Sequence, residues 1–114
     1  MGWGLFTPSG SGMTAMALLK SRIAAGGVAG VVVPSPNYYC ILEDFSGLSD
    51  ACHAVKALLA VDSPASALAV IKSAGEWGAD IACGDAQSLG MPLSYGGPTL
   101  GYLCSTKALM RKMP

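Results

Sequence analysis

Apolar residues fall along this chain in two kinds of pattern. Residues 28–33 and 58–61 are short, nearly continuous apolar runs. Such runs mark strands with apolar residues on both faces, as in a parallel sheet covered on both sides. Residues 79–84 and 102–104 read as two further strands. Between them the spacing changes to that of helices. Met16, Leu19 and Ile23 lie on one face, with Lys20, Ser21 and Arg22 mainly on the polar side. Thr14 stands where a cap is needed, and Gly26-Gly27 supplies a stop. Phe45, Leu48, Cys52 and Val55 repeat the pattern behind Asp44. Residues 65–71 form a short helical segment, and Thr106 caps a last amphipathic helix holding Leu109, Met110 and Met113. The Gly/Ser/Pro-rich opening carries a short strand at 3–6.

The expected order is β-α-β-α-β, then a Gly/Pro-rich loop at 85–100, a strand and a helix. That is an α/β fold with three parallel strands and a fourth, antiparallel one. A sheet this small leaves both edges bare, so the chain reads as a slice of a larger sheet, a single partial domain over 1–114.

Composition narrows the classes. Charged residues make up 12% of the 114, about half the roughly 25% of an ordinary soluble domain. The AVILMFWYC set makes up 52%, which excludes disorder. Net charge is zero, with no basic patch for nucleic acid. The uncharged stretches 23–42 and 86–106 are broken by glycines and prolines, so neither reads as a membrane span. No basic residue precedes Lys20, against a signal peptide, and the expected compartment is the cytoplasm. Cys40, Cys52, Cys83 and Cys104 are far apart and form no C-x-x-C pair; with His53 the sole histidine, they read as reduced thiols rather than metal ligands.

In open α/β sheets, ligands bind outside the carboxyl ends of the strands. Three loops leave such ends, at 34–42, 62–66 and 85–99. Asn37, Asp62, Gln87 and Ser88 are their polar residues, and they either converge on a site or serve as turn and capping residues. Asp62 ends an apolar run, either capping 64–66 or facing a cation in the cleft. Gly96-Gly97 forms either an anion cradle or a plain turn. The G-x-G-x-x-A match at 10–15 lacks a strong preceding strand and a later acidic residue, so no dinucleotide site is expected. His53 reads as an ordinary helix residue rather than a catalytic base.

Specific strings then carry a resemblance. VVVPSPNYY at 31–39 resembles the "VVVQSPNFFG" segment of glycine dehydrogenase (decarboxylating), the P protein of the glycine cleavage system. Glu43-Asp44 matches that family's "IED", and GEWGADI at 75–81 resembles "GEYGADI". QSLGMPLSYGGP at 87–98 is similar to "QSLGIPLSFGGP", and Met113-Pro114 to the start of "MPGR". The match runs over 28–114, with 1–27 a weakly matched lead-in.

The resemblance implies the fold-type-I, aspartate-aminotransferase-like fold of pyridoxal-phosphate enzymes. It also implies a role in glycine decarboxylation, with the aminomethyl group passed to the lipoyl arm of H protein. The cofactor is the electron sink and the protein positions it. In the family's catalytic subunit a Lys binds pyridoxal phosphate covalently. Gln87 stands at that position, and an amide nitrogen cannot form the imine. The resemblance is therefore to the non-catalytic, first subunit, whose partner catalytic subunit holds the cofactor. Asp62 sits at the place of the Asp that faces the pyridine nitrogen. Gly96, Gly97 and Thr99 are expected to approach the partner's cofactor. The chain taken alone is expected to be inactive. Cys40 replaces a family glycine, which suggests a strained or refitted loop. The absence of the family's upstream glycine-rich unit and C-terminal small domain reads as truncation. Alternatives are a cysteine desulfurase or aminotransferase relative, which a lysine near 87 would favour, and a noncatalytic interaction module.

Overall fold

A computed structural model describes residues 10–113. The strand expected at 3–6 lies outside them. The order is α1 (Met16–Ala24), β1 (Gly30–Pro34), α2 (Leu48–Ala54), β2 (Leu58–Asp62), a 3-10 turn (Ala65–Ala69), β3 (Ile81–Asp85), a second 3-10 turn (Gln87–Leu89) and β4 (Gly101–Ser105). The four strands form one sheet in the order β1-β2-β3-β4. β1 and β3 run parallel to β2, and β4 runs antiparallel to β3. The expected fold class and strand directions are those observed.

Register decides which side chains form the core. Val31 pairs with Leu59, and Val33 with Val61. These four, with Ala82, lie on the face packed by Leu19, Ile23, Phe45, Leu48 and Cys52. Phe45, Leu48, Cys52 and Leu59 are fully buried. Phe45 also meets Trp77 edge to face, with ring centroids 5.8 Å apart. Burying side chains of this size contributes about 1.5–3 kcal/mol each, so this one layer dominates stability.

The other face differs from expectation. Val32 is 66% exposed and Leu103 56%, so among the described residues only one side of the sheet is covered. The apolar runs fit a sheet covered on both sides; the helices here cover one.

Three expected helix starts are corrected. Thr14 does not cap α1, whose N-cap is Ala15 with no side-chain bond; its hydroxyl donates to Glu43 Oε2 at 2.8 Å instead. Asp44 does not cap α2, which begins behind Gly47 at φ 70°. Its Oδ1 accepts the Ser46 N–H at 2.9 Å and hydroxyl at 2.6 Å, a local turn that satisfies the carboxylate before the helix starts. The helix expected after Thr106 is a series of turns, with N–H bonds from Leu109 to Thr106 and from Lys112 to Leu109. Met110 there is 62% exposed. A segment this short is not helical without an apolar face to pack against. The short helical segment expected at 65–71 is a 3-10 turn over Ala65–Ala69.

Candidate functional site at the carboxyl edge of the sheet

The carboxyl ends of β1, β2 and β3 lie side by side. Pro34 pairs with Asp62, and Asp62 with Cys83. Backbone bonds continue the ladder into the loops: Ser35 N–H donates to Asp62 O at 2.8 Å, and Ser63 N–H to Cys83 O at 2.9 Å. The loops at 34–42, 62–66 and 85–99 therefore leave one edge, as the sequence suggested. Asp62 is exposed and opposes Cys83 on the uncovered face. Burial, with the Asp62 charge added, pushes the Cys83 thiol above its ordinary value. No side-chain hydrogen bond caps the 3-10 turn at Ala65–Ala69, so Asp62 is not its cap.

Two residues missed in the sequence fix the loop after Asp62. A Cβ at Gly84 would stand 1.8 Å from Ser63 O. Only a glycine lets that backbone cross the end of β3. The Tyr102 hydroxyl then donates to the same Ser63 oxygen at 2.6 Å. Burial, with nearby Cys83, Cys104 and Asp62, pushes the Tyr102 phenol up, so it keeps its proton for that bond. This approach spans 39 residues and leaves no local pattern to read.

Asn37 organises the first loop. Its Oδ1 accepts the N–H groups of Tyr39 (2.9 Å) and Ile41 (3.0 Å). Its Nδ2 donates to Gly12 O at 2.9 Å and to Glu43 Oε1 at 3.3 Å. Glu43, 8% exposed, also accepts the backbone N–H of Thr14. A buried carboxylate is tolerated because three donors face it. Asn37 and Glu43 thus join the lead-in to the loop that ends β1, and Tyr38 on that loop is 91% exposed. Cys40 takes φ 59°, the left-handed conformation that a glycine occupies without cost.

Gln87 opens the second 3-10 turn, which touches the turn that follows Asp62. Its N–H donates to Asp85 Oδ1 at 3.1 Å and its Nε2 to Pro98 O at 3.5 Å. Gly96 and Gly97 do not present free amides: both N–H groups donate to Leu93 O at 2.9 Å. Thr99 is exposed beside them. Asn37, Asp62 and Gln87 thus follow neighbouring strand ends, with the Asn37 side chain committed to Gly12 O and Glu43. A pyridoxal phosphate held as an imine needs a primary amine, and no lysine lies between Lys72 and Lys107. The residues of this edge do not fit a cofactor bound covalently by this chain.

The opposite edge holds the sole histidine. His53 Nε2 lies 2.9 Å from Asp80 Oδ2, which also accepts the Leu59 N–H at 2.9 Å. Ser49 Oγ lies 3.4 Å from His53 Nδ1, in the chemical order of a nucleophile, a base and an acid. The Ser49 hydroxyl, however, donates to Gly78 O at 2.8 Å and is 9% exposed. Its proton is committed to structure, and the group clamps α2 to the start of β3. Among the described residues no cluster of His, Cys, Asp or Glu could hold a metal ion, and no helix is long and apolar enough to cross a membrane.

Comparison with known proteins places this geometry. Residues 11–114 match the family model of the glycine cleavage system P-protein. A probable glycine dehydrogenase (decarboxylating) subunit 1 from Geotalea daltonii is 43% identical over 107 residues, covering 94% of this chain and 24% of that protein. Its counterpart from Exiguobacterium sibiricum is 47% identical over 107 residues, covering 94% and 23%. A crystal structure of glycine decarboxylase (P-protein) of the glycine cleavage system, in inhibitor-bound form, superposes with a TM-score of 0.71. It is 44% identical, over 76% of this chain and 20% of that one. The chain spans about a quarter of the length of the curated relatives it matches. The fold-type-I architecture implied by the sequence is the one this neighbour shares. On the family match over 11–114, this chain belongs to the glycine cleavage system P-protein family.

Proposed function

We propose that this chain is a piece of the large domain of the non-catalytic, first subunit of glycine dehydrogenase (decarboxylating). Working in the cytoplasm with the catalytic subunit, the assembly decarboxylates glycine and passes the aminomethyl group to the lipoyl arm of H protein. The observation that carries the reading is Gln87. It stands at the end of β3, where the catalytic subunit has its cofactor-binding lysine, and its amide cannot form an imine. Pyridoxal phosphate is accordingly held by the partner. Asp62, one strand away, keeps the place of the pyridine-facing carboxylate. Gly96, Gly97 and Thr99 approach the partner's cofactor. Because the Gly96 and Gly97 amides are bound to Leu93 O, Thr99 makes the contact. The partly apolar, uncovered face of the sheet supports a partial domain.

Co-purification tests this reading. A tagged catalytic subunit is expected to retain the chain on size exclusion, and only fractions holding the catalytic subunit release carbon dioxide from glycine. Decarboxylation by the chain alone, or passage of the two through the column as separate species, would overturn it.

A further inference from the structure

We propose that Gln87 is the positioning residue of the loop at 91–98, tying both of its ends to the sheet. At the first end, Gln87 O accepts the Met91 N–H at 2.9 Å and the Gly90 N–H at 3.3 Å. At the second, Gln87 Nε2 donates to Pro98 O at 3.5 Å. Gln87 is itself set by its N–H on Asp85 Oδ1, at the last residue of β3. Ala86 N–H, bonded to Leu100 O at 2.9 Å, closes the loop beside it.

Between these ends the loop rests on itself. The Gly96 and Gly97 N–H groups both donate to Leu93 O. Leu93 is 88% exposed and Tyr95 fully exposed, so neither packs the loop against the sheet. Ser94 and Tyr95 take φ 41° and 56°. Side chains hold such conformations only where their surroundings fix them. The surroundings here are the bonds to Leu93 O, the Ala86–Leu100 closure and the two ends that Gln87 joins. The side-chain tie is long for a hydrogen bond, so it orients the loop more than it stabilises the fold.

The residue at the lysine position therefore has a task of its own. An amide or an ammonium can donate to Pro98 O; a carboxylate would set oxygen against oxygen. That the loop so held serves the partner's site rests on the function proposed above. The tie itself does not.

Hydrogen exchange on the full chain tests the tie. In Gln87→Glu and Gln87→Ala, the Gly96 and Gly97 amides are expected to exchange about twofold faster than in the wild type, the low end for one net hydrogen bond, since the tie is long and exposed. Gln87→Lys is expected to restore slow exchange. Protection of β2 should stay constant in all three, which separates positioning from general loosening. Unchanged exchange at Gly96 and Gly97 in Gln87→Glu, or acceleration spread equally into β2, would overturn the proposal. In the complex with the catalytic subunit, Gln87→Glu is expected to lower kcat/KM for glycine about twofold or more at unchanged melting temperature. If no complex forms, the proposed function falls while the exchange measurement still decides the tie.

Discussion

Gly84 lies directly beneath Ser63: a Cβ at position 84 would stand 1.8 Å from the Ser63 carbonyl oxygen. No rotamer change relieves such a clash, because both atoms belong to backbone or to Cβ. Gly84→Ala must push the β2 exit off the sheet, break the Tyr102 bond to Ser63 O and displace Asp62. The expected cost is about 3 kcal/mol or more, at the upper end of overpacking. Chemical denaturation measures it, with Gly75→Ala as the control, since nothing lies within 4 Å of a Cβ there. Equal stability of the two variants would contradict the close approach.

Asp80 ties α2 to the start of two strands, and its titration gives a signed expectation. Burial raises its pKa, but the Leu59 N–H and the His53 bond and charge outweigh it and leave the carboxyl below its ordinary value. A carboxylate lowered on folding stabilises above its unfolded value, about 3.9, and loses that contribution as pH falls through the folded value. Asp80→Asn should cost about 1.5–3 kcal/mol at neutral pH. It should also flatten the fall of stability below about pH 4. Denaturation midpoints measured down the acid range check this; parallel curves for wild type and variant would contradict it.

Glu43 is the other carboxylate on which the structure leans. Glu43→Gln replaces one acceptor oxygen with an NH2 group facing the Thr14 or Asn37 donor. The loss is expected to be about 1–3 kcal/mol, with looser exchange at Tyr39 and Ile41, whose N–H groups rest on Asn37. A variant as stable as the wild type would show that the knot is replaceable by water.

Cys40 holds φ 59°, at the position where the sequence resemblance leads one to expect a glycine. Cys40→Gly should stabilise the chain by about 0.5–1 kcal/mol, the relief of the left-handed strain less the added freedom of the unfolded chain. Thermal denaturation under reducing conditions reads the change, and a lower melting temperature would contradict it.

Much of the fold was legible in the sequence because strand identity rests on local composition. The β-branched run before Pro34 and the apolar run before Asp62 announced their strands within two residues of the observed bounds. Helix starts were misread at Thr14 and Asp44 because those side chains found other partners, a buried glutamate in one case and Ser46 in the other. Neither choice is visible in spacing. The helix after Thr106 failed for lack of a surface to pack on. At the site, Asp62 and Gln87 were legible as strand-end polar residues. Gly84 and Tyr102 were not, because their roles come from a contact with Ser63 across the sheet. Of the two readings of Gly96-Gly97, an anion cradle needs free amides, and the turn commits both to Leu93 O.

By the function proposed above, this chain assists a cofactor held by its partner. The most direct measurement is borohydride reduction of the reconstituted complex with pyridoxal phosphate, followed by peptide mass spectrometry. The expected result is a pyridoxyl group on one lysine of the catalytic subunit, lost when glycine is added before the reduction, and none on this chain. A glycine-sensitive pyridoxyl adduct on Lys72 or Lys107, the lysines that flank the site in sequence, would contradict the account.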